Sequence, residues 1–298
     1  MLHRWKIGDV RVSSLVEYHG PTHDPEFLYP KFDRGAFEAI LPELPPGHYY
    51  RENDRLVIAI QIWLVETADK VVLIDTGVGN HKPRSAERMK NLNSLFLHWL
   101  AAAGVTPDKV THVVHTHMHP DHVGWNTVLR DGRWVPTFPN ARYLMPKTDF
   151  DFFQELRKEN SPVEDGAFTD SVDPVLEAGL ADFITDETEL LGFLRVSKAP
   201  GHTPGMLNYW LESRGETGVF SADVMHHPVQ IYRPDWNTAF CTLQDEALRT
   251  RAGFLAEAAD SGALVMSCHF APPHTGYIRR RGGGYAFEPA ASGYGSAV

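Results

Sequence analysis

Cysteine is almost missing from this 298-residue chain, which carries only Cys241 and Cys268. Two thiols cannot frame a disulfide-stapled secreted fold, so a reducing compartment suits the protein and the cytoplasm is its expected location. Long apolar runs are missing too. No stretch approaches the ~18 residues that a membrane span needs, and the opening Met1-Leu2-His3-Arg4-Trp5-Lys6 lacks the apolar core of a signal peptide. Positive charge is in deficit: 28 Lys+Arg stand against 38 Asp+Glu, for a net charge of −10. That balance argues against general affinity for nucleic acid or an anionic membrane, both of which reward basic surfaces. No repeat of fixed period and no linker-like shift in composition divides the chain. One domain over residues 1–298 is the simplest expectation.

Apolar residues make up 43% of the chain and aromatics 11%, enough for a sizeable core. Residues 5–17 read as two short strands around Gly8-Asp9. Residues 18–55 form an irregular arm rich in Pro, Gly and aromatics, with one short helix at Arg34–Ile40. Such an arm serves as a lid, as an oligomer contact in a homodimer, or as a loop packed over the core. Paired strands follow at 56–66 and 70–75, the second delivering Asp75 into a tight turn. Helical periodicity over 91–104 stops at Gly104, and a buried strand at 111–115 comes next. A strand at 141–145 precedes a mostly helical, acidic stretch over 147–192. Strands return at 193–198, 206–212 and 217–222, then a helix at 244–259 and a strand at 263–267. Arg279-Arg280-Arg281 reads as a solvated strand end, and the Gly-rich 282–284 with residues 286–298 as a mobile tail.

The strand at 111–115 runs directly into His-Thr-His-Met-His-Pro-Asp-His, residues 115–122. His117, His119, Asp121 and His122 place four metal-competent groups in six positions. Burying such groups costs free energy unless they are paired or metal-bound, so a packed core does not explain them. Imidazole and carboxylate together suit a borderline divalent ion such as zinc. An extended backbone aims His117 and His119 the same way. Pro120 then favours a helical first turn that carries Asp121 and His122 back towards the same space. Four donors of this kind suit two adjacent ions better than one. Three distant segments add to them: His202 in Gly201-His202-Thr203-Pro204-Gly205, Asp223 after an apolar strand, and His269 at another strand end. Each alone is more often structural; recurring at strand ends after the His cluster, they read as one metal constellation.

In this order and spacing the chain resembles the metallo-β-lactamase-fold superfamily over roughly residues 56–278. The resemblance implies an α+β, four-layer αβ/βα sandwich: two mixed β-sheets flanked by helices. It implies His117, His119 and His202 as ligands of a first ion, Asp121, His122 and His269 of a second, and Asp223 as the bridge. Asp75 matches a strand-end carboxylate that orients a ligand imidazole. The implied cofactor is a pair of divalent ions, zinc first, with manganese, cobalt or iron as alternatives. Two such ions lower the pKa of a bridging water and polarise a carbonyl or phosphoryl oxygen, so no Ser or Cys nucleophile is required. Asp121 serves as a proton relay in this scheme, and Cys268 reads as core.

Within that superfamily the chain is most similar to the lactonase and organophosphate or aryl-ester hydrolase branch. Lactonases of that branch usually carry a Tyr shortly after the bridging Asp, and here His226 stands in its place. Two roles remain open for it: contact with the substrate, or a polar neighbour of the site. Trp125, Tyr232, Trp236 and Phe240, with Phe27-Leu28-Tyr29 of the arm, read either as pocket wall or as core. His112 and His115 read as structural, and His274 as surface. The resulting expectation is hydrolysis of a small, largely apolar ester or lactone. Phosphotriester, β-lactam and glutathione-thioester hydrolysis or a metal-dependent oxidoreductase are alternatives. The expected partner is a small-molecule substrate, without nucleic acid or membrane.

Overall fold

The Asp75 strand, Val71–Ile74, is fully apolar and lies between the strands Arg55–Glu66 and His112–Val114, antiparallel to the first and parallel to the second. This is the middle of a mixed sheet ordered Leu2–Ile7, Val10–His23, Arg55–Glu66, Val71–Ile74, His112–Val114, Arg142–Pro146, Ala181–Ile184. Strands covered on both faces read as continuous apolar runs, which is why the sequence marks these strands clearly. A second mixed sheet runs Glu189–Leu190, Leu194–Lys198, Leu207–Ser213, Glu216–Phe220, Leu264–Met266, Thr275–Arg281, Gly284–Pro289, parallel only between Glu216–Phe220 and Leu264–Met266. The structure, a computed structural model, describes residues 1–293.

The described chain packs as two units, each discontinuous in sequence: Met1–Tyr18 with Ile60–Glu187, and His19–Ala59 with Thr188–Gly293. In the first, Phe96 and Leu100 of the helix Phe96–Ala102 and Phe153 of the helix Lys147–Lys158 pack with Leu73, Val113 and Tyr143. In the second, Phe254, Leu255 and Ala258 of the helix Gln244–Ser261 cover Val219, Val265 and Ile278. No helix among the described residues is long and apolar enough to cross a membrane.

The arm at 18–55 is more ordered than its composition suggests. Asp24 and Asp33 cap the helices Pro25–Leu28 and Arg34–Ile40 by accepting from the backbone N–H of Glu26 (2.9 Å) and Ala36 (2.7 Å). Leu28, Tyr29 and Phe37 then pack against Val229 and Trp236, so much of the arm is core. Of Phe27-Leu28-Tyr29, Phe27 alone stays exposed, at 59%.

Several local expectations are corrected. Residues 147–192 are less helical than expected. The helix Lys147–Lys158 is followed by a break around Ser161-Pro162, and a π-turn at Phe168–Val172 runs straight into the helix Asp173–Glu177 where a loop was expected. Strands form at Ala181–Ile184 and Glu189–Leu190. The tail begins later than expected, because Gly284–Pro289 pairs with Thr275–Arg281 as a hairpin. The remainder of that tail, residues 294–298, lies outside the described residues. A second unexpected hairpin joins Thr127–Arg130 to Arg133–Pro136. The three arginines at 279–281 do sit at an exposed strand end, paired with Glu288, Asp260 and Glu43.

The first unit also buries charge. Arg84 grips Asp170 with two bonds of 2.9 Å, and Lys82 donates to Thr127 Oγ1 (2.6 Å) and the Asp170 carbonyl (2.9 Å) beneath the Trp134 ring. Two cations share one carboxylate there. Burial brings the Lys82 ammonium down to about 7, against the pull of Asp170.

Candidate metal centre

The strand Val71–Ile74 ends in Asp75 at φ 57°, a left-handed turn that swings its carboxylate back beside the His cluster. Thr116 donates to Asp75 from its backbone N–H (to Oδ1, 2.7 Å) and its hydroxyl (to Oδ2, 2.7 Å), and His122 Nδ1 lies 2.9 Å from Oδ2. These contacts assign the protons. A carboxylate only accepts, so Nδ1–H of His122 donates and its Nε2 keeps a lone pair. Thr116 has spent its one proton on Asp75, so it accepts from His117 Nδ1 at 2.9 Å, leaving a lone pair on His117 Nε2 as well. That atom faces His119 Nδ1 at 3.0 Å, and the His117 and His122 rings lie 4.0 Å apart. Asp121, half-buried, holds Oδ1 3.8 Å from His122 Nε2.

No helix forms after Pro120. His122 N–H bonds back to His119 O (3.0 Å), Thr76 N–H to His122 O (2.7 Å) and Trp125 N–H to Thr76 O (2.8 Å), so the loop is held crosswise by the Asp75 turn. A 3-10 turn at Gly124–Asn126 follows. Gly124 is obligatory, since a Cβ there would sit 1.8 Å from the Val78 carbonyl oxygen. The expected grouping of Asp121 with His122 survives by a different backbone route.

The second unit brings together three histidines and one carboxylate. Asp223 Oδ2 lies 3.0 Å from His269 Nε2, 3.2 Å from His202 Nε2 and 3.3 Å from His226 Nε2. All four side chains are buried. His269 Nδ1 is 2.9 Å from the Ala59 carbonyl, which can only accept, so His269 Nε2 turns a lone pair towards the carboxylate. Two acceptors 3.0 Å apart in a buried site repel each other unless a cation lies between them. Gly201, at φ +142°, brings His202 in under the helix Gln244–Ser261: a Cβ would meet Ala247 backbone at 2.4 Å. The segment after Asp223 is tied down by Arg251, which donates to Val224 O (2.9 Å), Pro234 O (2.9 Å) and Asn237 Oδ1 (2.8 Å). Gln230 accepts from His226 N–H at 2.7 Å and donates to Trp236 O at 2.9 Å.

Each donor set therefore fits a divalent ion: imidazole nitrogens converge with carboxylates beside them, and the Nδ1 atoms of His117, His122 and His269 are engaged by acceptors, which leaves their Nε2 lone pairs for a metal. Co-ligands on a tetrahedral zinc lie roughly 3.3 Å apart, given Zn–N and Zn–O bonds of about 2.0–2.2 Å. The observed 3.0–3.3 Å separations match that spacing.

The remaining candidates separate cleanly. Trp125 is core, its indole N–H donating to Glu17 Oε1 at 2.6 Å. Trp236 is buried against Tyr29, while the Tyr232 hydroxyl donates to the Glu43 carbonyl at 3.1 Å. His115 is structural, its ring nitrogens set against Leu144 O (3.3 Å) and Asn126 Oδ1 (2.9 Å), and burial lowers its pKa. His112 is half-buried beside Thr111. His274 is not surface: it is buried, with Nδ1 2.7 Å from Phe270 O. Cys241 and Cys268 are both buried and form no disulfide. Phe240 does belong to the site region, its ring tilted against His226 at 6.1 Å and edge-on to the exposed Phe27 at 6.1 Å, with His23 alongside.

Three residues escaped sequence reading: Gln230 and Arg251, described above, and Glu17. Glu17 accepts from Val78 N–H (2.6 Å), Gly79 N–H (3.1 Å), Trp125 Nε1–H (2.6 Å) and Ser94 Oγ–H (3.1 Å). Burial raises its pKa and these four donors pull it back. It pins the loop leaving Asp75 to the loop leaving His122. Its only sequence signal is a carboxylate ending an apolar strand.

These features define a metal-binding α+β protein with ligands on loops leaving strand ends. The sequence model of the Metallo-beta-lactamase superfamily matches residues 55–277, three quarters of the chain, and the protein belongs to that superfamily of metal-dependent hydrolases. No curated protein matches. Among solved structures it is similar to the hydrolase AbOPH of the beta lactamase superfamily, at 23% identity over 97% of each chain with a TM-score of 0.81. AidC, a dizinc quorum-quenching lactonase solved with its product, is 24% identical over 97% of each chain, with a TM-score of 0.78. A probable metal-dependent hydrolase from Staphylococcus aureus is 18% identical, covering 98% of this chain and 100% of its own, with a TM-score of 0.77. These likenesses establish the fold, with its mixed sheets and flanking helices.

Proposed function

We propose that the protein is a dinuclear hydrolase of small, largely apolar esters or lactones. In this reading His117, His119, Asp121, His122, His202, Asp223 and His269 serve one centre of two divalent ions, zinc first, with Asp223 shared between them. The observation that carries it is the convergence of buried imidazole nitrogens on one Asp223 oxygen, at 3.0–3.3 Å. When bound, a pair of ions acidifies a water and polarises a carbonyl. The chain's own part is to hold the donors deprotonated and aimed, through Asp75, Thr116 and the Ala59 carbonyl. Asp121, half-buried beside His122, takes up and passes on the proton. The Phe240–Phe27 pair supplies an apolar wall running outward from His226, suited to an acyl or aryl group. A net charge of −10 offers no long-range help to polyanionic substrates. A cysteine content too low for a disulfide framework fits action in the cytoplasm.

The test is a hydrolysis panel of zinc- and manganese-loaded protein on an aliphatic lactone, an aryl ester, a phosphotriester, a β-lactam, a nucleotide phosphodiester and a glutathione thioester. The expected result is the highest kcat/KM on the lactone or aryl ester. A tenfold advantage for the phosphodiester or thioester, about 1.4 kcal/mol of transition-state preference, overturns the apolar reading.

A further inference from the structure

We infer that His226 is itself a metal ligand, joining His202 and Asp223 on one ion, rather than a group that reaches for the substrate carbonyl. This rests on the metal-dependent reading above and adds one nitrogen to the donor set assigned there. Three observations carry it. The ligand atoms of His202, Asp223 and His226 lie within 4.8 Å of one another, and all three residues are buried. His226 Nε2 is 3.3 Å from Asp223 Oδ2, the separation expected of two ligands on one ion, and its ring centroid is 4.9 Å from that of His202. The third is the tautomer of His269. Its Nδ1–H is spent on the Ala59 carbonyl, so a lone pair on Nε2 faces Asp223 Oδ2 at 3.0 Å. A cation beside that oxygen, where the His202 and His226 nitrogens also lie at 3.2 and 3.3 Å, relieves the repulsion between the two acceptors.

The backbone is built to keep His226 there. Its N–H is held by Gln230 Oε1 at 2.7 Å, and Arg251 holds the Val224 carbonyl two positions before it. Both contacts fall on backbone atoms, so they fix where the chain presents the imidazole to Asp223.

The test uses the full chain, stripped with a chelator and reloaded with cobalt(II), in wild type, His226→Gln, His226→Phe and Asp223→Ala. Circular dichroism confirms that each variant folds. Each histidine that ligates cobalt shifts its ring N–H proton far outside the normal NMR range, so ligands are counted without assaying activity. The expected count is six in wild type and five in both His226 variants, with one metal equivalent weakened beyond the 10–100-fold typical of losing an outer hydrogen-bond partner. Five resonances in wild type and in His226→Gln alike, with metal affinity unchanged, overturn the assignment. Wild-type protein that never takes up two equivalents overturns the dinuclear reading instead. A resonance lost in His226→Gln then still supports ligation, at a single ion.

Discussion

Asp75 Oδ2 receives His122 Nδ1–H at 2.9 Å and the Thr116 hydroxyl at 2.7 Å, so one carboxylate oxygen fixes the tautomer of two histidines, one directly and one through Thr116. Asp75→Asn presents an N–H₂ to groups that are all donors. It should weaken one metal equivalent by roughly 10–100-fold while leaving the fold intact. Competition with a chromophoric chelator measures this; an unchanged affinity would show that the imidazoles are oriented by packing alone.

Glu17 gathers four donors into one buried carboxylate. Glu17→Gln keeps one oxygen but turns an amide N–H₂ towards a donor, and should cost about 1–3 kcal/mol; Glu17→Ala strands all four donors and should cost more. Urea unfolding of the two variants orders these effects. Equal stability of wild type and Glu17→Ala would contradict the pinning role.

Lys82 gives a pH dependence of defined sign. Unfolded, the ammonium titrates near 10.5; folded, burial brings it to about 7. Between those values the unfolded chain binds more protons, so stability rises with pH across the window, by at most about 1.4 kcal/mol per unit from this group. Lys82→Met has no such proton and should show a flatter profile in urea melts at pH 7, 8.5 and 10. Identical slopes would place Lys82 at an ordinary pKa.

Phe240 makes a tilted ring contact with His226 and an edge-on contact with Phe27. Phe240→Ala should raise KM for long-chain lactones or aryl esters several-fold more than for short-chain ones, with kcat on the short substrate nearly unchanged. A uniform loss across chain lengths would indicate that Phe240 supports the site structurally.

The candidate site was legible because a short polar cluster at the end of a buried strand has no packing explanation, and because Asp75, Asp223 and His269 follow apolar strands. The long central strands were legible for the same reason. The helix after Pro120 was not, since tertiary bonds from Thr76 and Trp125 took the backbone groups that a helix would have used. His274 was misjudged because its environment comes from the turn at Phe270–Ala271, which sequence spacing does not reveal.

Both hairpins did leave a signal. Asp131-Gly132 (φ 50°, 74°) and Gly282-Gly283 (φ 57°, 79°) are two-residue turns with both residues in the left-handed region. The first sits between runs of only four residues, Thr127–Arg130 and Arg133–Pro136, too short to stand out as strands. Gln230 and Arg251 were missed for another reason, that their partners are mostly backbone atoms, which a sequence does not display. Glu17 was missed because its four donors come from three distant loops.

His269 is aimed by a carbonyl 210 positions earlier in the chain, at Ala59. Closing so wide a loop is entropically costly and comes late, after local helices and hairpins have formed. The donor groups of the second unit are thus set only when nearly the whole polypeptide is available, although none of residues 19–59 is a ligand. Refolding with cobalt present should show its colour developing after most secondary structure has returned; simultaneous recovery would contradict this order. Under the proposed assignment, metal loading would act as a checkpoint on complete folding, because a partly folded chain has no oriented His269 to offer.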